Sequence, residues 1–194
     1  MNKIYSLLLA FFVVFAFAGS AVSSDGVGAG DQVADFSITN FDGNTYTLST
    51  SGGNATVVMF WSTECPFVQP YTDRINALAK EFGSRGIVFW GVNANNTESV
   101  EDVKNHAEEK GYIFPMLRDV NNVVADQFGA QRTPEVYVID NNTMTVVYHG
   151  RIDDDKEASK VTSEDLKNAL NQFLNGDAIT VSETKAFGCT IKRN

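Results

Sequence analysis

Short apolar runs alternate with amphipathic stretches along this chain, and their order sets the fold class. Residues 57–60 (Val-Val-Met-Phe) and 87–92 (Ile-Val-Phe-Trp-Gly-Val) are continuous apolar runs, the pattern of strands covered on both faces. Residues 36–39 and 46–48 alternate as strands joined by a turn containing Asp42-Gly43. Residues 136–139 and 145–148 form a further pair across an Asn-Asn turn, read as an antiparallel hairpin. Helical spacing appears between the runs. Ile75, Leu78, Ala79 and Phe82 make one stripe, so a helix is expected from the residue after Cys65 to about Phe82. Thr97 or Ser99 caps a second helix that ends near Gly111. Asn121 to Phe128 reads as a short helix closed by Gly129. Leu166, Ala169, Leu170, Phe173 and Leu174 give the last helix, 163–174, an apolar face. Strand, helix, strand, helix, then hairpin and helix is an α/β order, with a central mixed β-sheet, helices on both faces and an N-terminal β extension.

The ends of the chain differ from this middle. Met1-Asn2-Lys3 precedes an apolar stretch, Ile4 to Ala18, and then the small residues Ala18, Gly19, Ser20 and Ala21. Residues 1–21 therefore read as a secretory signal peptide, too short for a comfortable membrane span of about 20 residues. An uncleaved anchor is the alternative. Residues 22–31 are a Gly/Ser-rich flexible spacer, 32–176 the folded domain, and 177–194 a C-terminal tail. The expected location is exported, periplasmic or secreted, with no membrane association after cleavage.

Charge narrows the partners. The chain carries −9, and loss of the single positive charge of Lys3 with the leader leaves −10. An acidic surface argues against nucleic acid and anionic membranes. Two cysteines remain after cleavage in an oxidising compartment, Cys65 and Cys189, and they either pair or stay free.

Cys65 carries the candidate chemistry. It follows a buried strand, and Pro66 directly after it suits the first turn of a helix. At a helix start a thiol meets backbone N–H groups and the positive helix end, which favour the thiolate nucleophile. A buried structural cysteine is the competing reading. Glu64 beside it opposes the anion, and Arg132 offsets that as a thiolate stabiliser. Thr133-Pro134, just before a buried strand, marks a turn or a cis bond.

Phe60, Trp61, Thr63, Cys65 and Pro66 resemble the active-site segment of thioredoxin-like exported reductases, which reads Phe-Trp-Ala-Thr-Trp-Cys-Pro-Pro-Cys. In that register Cys65 is the nucleophilic cysteine, and Val68 stands where the resolving cysteine would be. A peroxiredoxin register fits less well, since Val58 and Pro134 stand where proline and arginine are needed. The Thr133-Pro134 pair resembles the cis-proline loop of the same superfamily. This implies a substrate groove lined by Trp61, Pro66, Thr133 and Pro134, with Thr133 offering backbone contacts. Further segments widen the resemblance to most of the chain: Phe114 to Asp119, Gly150-Arg151-Ile152-Asp153-Asp154, and Gly188-Cys189-Thr190-Ile191-Lys192. Together they resemble the peroxiredoxin-like branch of the redoxin, or alkyl hydroperoxide reductase/thiol-specific antioxidant (AhpC/TSA), family.

The resulting expectation is a thiol oxidoreductase in which Cys65 attacks a disulfide or peroxide substrate and Cys189 or an external thiol reductant resolves it. No cofactor is implied. A non-catalytic thioredoxin-like binding module is the alternative, favoured by loss of the second active-site cysteine. His106 and His149 lack partners at metal-ligand spacing, and Asp153-Asp154-Asp155 reads as a solvated acidic loop, so no metal is expected.

Overall fold

The computed structural model describes residues 26–193. The leader assigned to residues 1–21 lies outside the described residues. β3 (Ala55–Trp61) is fully buried along its length. Its alternate residues serve two cores: Val57, Met59 and Trp61 face one, Val58 and Phe60 the other. This period of two follows from the pleat, and burial on both faces explains why the run has no polar alternation. Each such aromatic or aliphatic burial stabilises by about 1.5–3 kcal/mol over exposure.

β3 is the middle of a five-stranded sheet. Around it stand β4 (Ile87–Asn93), β5 (Met116–Arg118), β7 (Glu135–Asp140) and β8 (Thr145–Gly150), in the order β5-β4-β3-β7-β8. β4 runs parallel to β3, and β5 parallel to β4; β7 and β8 are antiparallel to their neighbours. On one face pack α1 (Thr72–Gly83), through Ile75, Ala79 and Phe82, α2 (Val100–Lys110), through Val103, and α4 (Asp165–Asn175), through Leu166, Ala169 and Leu170. The other face holds α3 (Val123–Phe128) and the hairpin β1 (Ser37–Thr39) and β2 (Thr45–Thr47). The mixed sheet with helices on both faces and the N-terminal β extension are as expected.

Local signals act where the sequence places them. Ser99 caps α2, its hydroxyl accepting from the Asp102 N–H at 3.1 Å while Asp102 accepts from the Ser99 N–H at 2.9 Å. Gly111 closes the helix in the left-handed conformation, φ 61°.

Three expectations need correction. The helix assigned from Cys65 onward begins only at Thr72; residues between are turns and a short 3-10 segment, Gln69–Tyr71. Pro70 sits inside that segment, and the Val68 N–H bonds the Cys65 carbonyl at 3.0 Å, so the chain coils more tightly than an α-helix. The described part of the spacer, 26–31, is docked: Val27 N–H bonds Phe128 O, and Gly30 N–H bonds Val146 O. The acidic run is not simply solvated. Asp153 is buried, accepts from the Tyr71 hydroxyl at 2.9 Å and pairs with Arg74. Asp154 accepts from the Thr162 hydroxyl, which with the Ser163 and Thr162 N–H groups holds its carboxyl down at about 2. The tail beyond α4 returns across the domain and contains a short strand, β9 (Cys189–Thr190), paired with β6 (Arg132–Thr133).

Candidate active site

Three segments meet at Cys65. The first is the loop leaving β3, Ser62 to Val68. The second is β6 with the cis peptide bond Thr133–Pro134. The third is β9. Cys65 and Cys189 form a disulfide, with Cα atoms 6.0 Å apart and 124 residues of sequence separation. That distance lies within the range a disulfide spans without moving the backbone. Cys65 is only 2% exposed, and its Sγ lies 3.2 Å from the Thr133 carbonyl oxygen. In the disulfide this is a close contact, because the sulfur carries no proton to donate.

The tail is held by more than the sulfur. Thr133 pairs with Cys189 and Arg132 with Thr190 in an antiparallel register. The Ile191 N–H bonds the Gln131 carbonyl at 3.0 Å, and the Lys192 N–H donates to Asn95 Oδ1 at 2.8 Å. Ile191 is buried in the second core. Phe187 packs edge-on against Phe67, with ring centroids 6.4 Å apart.

The residues singled out from sequence divide clearly. Cys65, Cys189, Thr133 and Pro134 come together. Pro66 is exposed on the loop beside them. Trp61 does not reach a groove: it is fully buried, and its Nε1 donates to the Tyr112 hydroxyl at 3.0 Å, so it supports the loop from beneath. Arg132 is exposed, and its guanidinium donates to Thr190 Oγ1 at 2.8 Å, fastening the tail. The α-helix starts only at Thr72, so Cys65 does not sit in its first turn as expected.

Two buried carboxylates that hold the loops at Cys65, Glu98 and Glu135, were not found from sequence. Glu98, 2% exposed, accepts from Ser62 Oγ (2.5 Å), Thr63 N (2.7 Å), Thr63 Oγ1 (2.7 Å), Asn93 Nδ2 (2.5 Å) and Asn95 Nδ2 (2.6 Å). Burial pushes its carboxyl up, but the hydrogen bonds from Ser62, Thr63 and Asn95 outweigh it and leave it below its ordinary range. Glu98 thereby clamps the residues just before Cys65. Glu135 follows the cis-proline. Its Oε2 accepts from the Gln131 and Arg132 N–H groups, both at 2.7 Å; its Oε1 accepts from the Tyr137 hydroxyl (3.0 Å) and His149 Nε2 (2.8 Å). Burial raises Glu135 and the bonds from His149, Gln131 and Arg132 lower it, with a net fall. A signal existed for Glu98: the apolar run of β4 gives way to Asn93, Asn95 and Asn96 at the carboxyl end of a parallel strand, where α/β folds build sites. For Glu135 there was only its place directly after Pro134.

His106 is buried on α2, and burial then Lys110 lower its pKa; its Nε2 meets Gln69, whose amide donates to the Thr63 carbonyl at 2.9 Å. Among the described residues, no group of three or more His, Cys, Asp or Glu side chains is placed to hold a metal ion.

A five-stranded mixed sheet with a cysteine after its central strand, facing a cis-proline loop, defines a thioredoxin-like protein, and solved thioredoxin-like structures share the fold. Within that class the chain belongs to the AhpC/TSA family, which residues 29–149 match. It is 26% identical over 121 residues to a thiol-disulfide oxidoreductase ResA of Halalkalibacterium halodurans, covering 62% of this chain and 68% of that one. An uncharacterized conserved protein of Geobacillus kaustophilus superimposes with a TM-score of 0.79 at 34% identity, covering 86% of this chain and 92% of the other. A hypothetical protein of Sinorhizobium meliloti 1021 gives 0.79 at 29% identity, with 90% and 99% covered. The family match stops before the tail that carries Cys189.

Proposed function

We propose that this protein is an exported thiol–disulfide oxidoreductase with Cys65 as nucleophile and Cys189 as resolving thiol. The disulfide between them, formed across the cis-proline loop, is the observation that carries this reading. Relatives named thiol-disulfide oxidoreductase ResA support disulfide substrates over peroxides. Export rests on the leader-like sequence of residues 1–21.

The cycle balances as two thiol–disulfide exchanges. In the reduced protein the Cys65 thiolate attacks one sulfur of a substrate disulfide. A new S–S bond forms, and the other substrate sulfur leaves with the electron pair. The Cys189 thiolate then attacks Cys65 Sγ, closes the internal disulfide and releases the second substrate thiolate. The substrate gains two electrons and the protein loses them. An external thiol reductant restores the dithiol; Cys189, the half-buried member, is the sulfur it reaches first, and Cys65 is the leaving group. Glu98 and Glu135 touch no reacting atom; they position the Cys65 loop and the cis-proline loop.

The test is exchange between the reduced full chain and a disulfide substrate, with Cys65→Ser and Cys189→Ser alongside. Cys65→Ser should lose the activity. Cys189→Ser should stop at a mixed disulfide on Cys65, visible by mass. Activity surviving Cys65→Ser, or no exchange in the wild type, overturns the proposal and leaves the binding-module reading.

A further inference from the structure

The tail does something beyond delivering a sulfur. β6 has one edge beside Cys65, and β9 fills it. A substrate chain that reached Cys65 alongside Thr133 would need that same edge. We infer that residues 187–191 are a tethered copy of the substrate segment, and that the site reads extended polypeptide disulfides of the type aromatic–Gly–Cys–Thr–Ile. This rests on the exchange activity proposed above and names its substrate class.

Four contacts spell out the pattern. Phe187 sits edge-on to Phe67, next to Pro66. Gly188 has φ +144°, and a Cβ there would overlap the Thr133 carbonyl oxygen and press on Pro134 Cδ. A side chain at this place is thus excluded twice, by the backbone conformation and by the cis-proline loop. Cys189 pairs with Thr133 and bonds Cys65. Ile191, two residues on, is buried in the second core. Backbone pairing supplies the affinity and the glycine and apolar positions supply the selection, as in strand addition to a sheet edge.

It follows that the edge is closed when the protein is oxidised and opens on reduction. A thiol reductant breaks the Cys65–Cys189 bond, taking up the disulfide and leaving two protein thiols, and β9 is then held by non-covalent contacts alone: its short ladder, Ile191, Phe187 on Phe67, and the bonds of Lys192 to Asn95 and of Arg132 to Thr190. After the substrate has joined Cys65, the returning tail takes back the edge as Cys189 attacks, so strand exchange and resolution are one event.

The test uses the pre-reduced full chain and a peptide of residues 185–192, Lys-Ala-Phe-Gly-Cys-Thr-Ile-Lys, carried as a mixed disulfide with 2-nitro-5-thiobenzoate. A second peptide has alanine for its glycine, and glutathione with the same leaving group is the reference. Cys65 attacks the peptide sulfur and the coloured thiolate leaves. The glycine peptide should react at least about tenfold faster than the alanine peptide, the factor expected when a strained backbone must be imposed. The variant Gly188→Ala, whose tail fits the edge poorly, should accumulate the peptide–Cys65 adduct that the wild type resolves. Equal rates for the two peptides, with both exceeding glutathione, would sink the substrate pattern and leave exchange chemistry standing. No reaction with any probe would instead remove the activity itself.

Discussion

The Thr133 carbonyl oxygen lies 3.2 Å from Cys65 Sγ while Thr133 itself pairs with Cys189. One residue therefore contacts both ends of the disulfide. The chain around it is fixed by Glu135, whose carboxylate gathers the N–H groups of Gln131 and Arg132 just before the cis-proline. Cys65, Cys189 and the backbone edge of β6 are aligned by a single loop.

The disulfide should also contribute strongly to stability. It closes a loop with a sequence separation of 124, for which the chain-entropy model gives about 4–5 kcal/mol. Urea unfolding of oxidised and reduced protein is the measurement. Reduction should lower the midpoint by an amount matching a loss of that order, and Cys189→Ser should mimic it. An unchanged midpoint would mean that β9 and Ile191 hold the tail without the bond.

Acid stability should depend on the buried carboxylates Glu98 and Glu135. Glu98 and Glu135 are both held below their ordinary range in the fold. A depressed carboxyl contributes its stability fully above the unfolded value, about 4.3, and loses it as the pH falls through the lower folded value. Stability should therefore fall below about pH 4.3 for this reason. Glu98→Gln should be less stable at pH 7 by about 1–3 kcal/mol, since it weakens a hub of five donors. It should also show a shallower loss between pH 5 and 3. A slope identical to wild type would show that Glu98 is not the titrating group.

Four strands of the central sheet, β3, β4, β7 and β8, were legible because they are long, apolar and bounded by turn residues; β5, three residues long, was not. The helix ends were legible where a cap stands in the sequence, as at Ser99 and Gly111. The site was legible only in part. Cys65 and Thr133-Pro134 stand in recognisable local patterns. β9 has two residues and no period, so nothing local announces it; its register comes from β6, far away in sequence. Trp61 matched a motif, yet its place on the inward-facing side of β3 puts it in the core. The start of α1 was misjudged because Pro66 suits a turn as well as a first helical position.

Glu135 offers a test of positioning that stability alone would not reproduce. Glu135→Gln keeps the side-chain size and retains an oxygen acceptor, but gives up the charge that holds two backbone N–H groups and His149. The expected result is a slower closure of the Cys65–Cys189 bond from the reduced protein, with the rate of first attack by Cys65 on a small disulfide little changed. Stopped-flow exchange followed by acid quench separates the two steps. Equal slowing of both would assign Glu135 a general structural role.

Val68 marks where a second active-site cysteine would stand, and it is fully buried. Its N–H bonds the Cys65 carbonyl at 3.0 Å, so the two residues span a tight turn with Cα atoms less than about 7 Å apart. That separation is within disulfide reach. In Val68→Cys the new thiol therefore competes with Cys189 for Cys65. The local loop is far shorter than the one closed by Cys189, so the 65–68 bond should form first and leave the tail free of its covalent tether. Removing the methyl groups of a buried valine should lower stability by about 1 kcal/mol, and losing the long loop closure should lower it further. Disulfide reduction by the variant should be faster than by wild type, because resolution no longer waits for strand return. Non-reducing peptide maps decide the matter. A variant that still shows only the Cys65–Cys189 peptide, at a wild-type rate, would mean that the tail reaches Cys65 faster than a thiol one turn away.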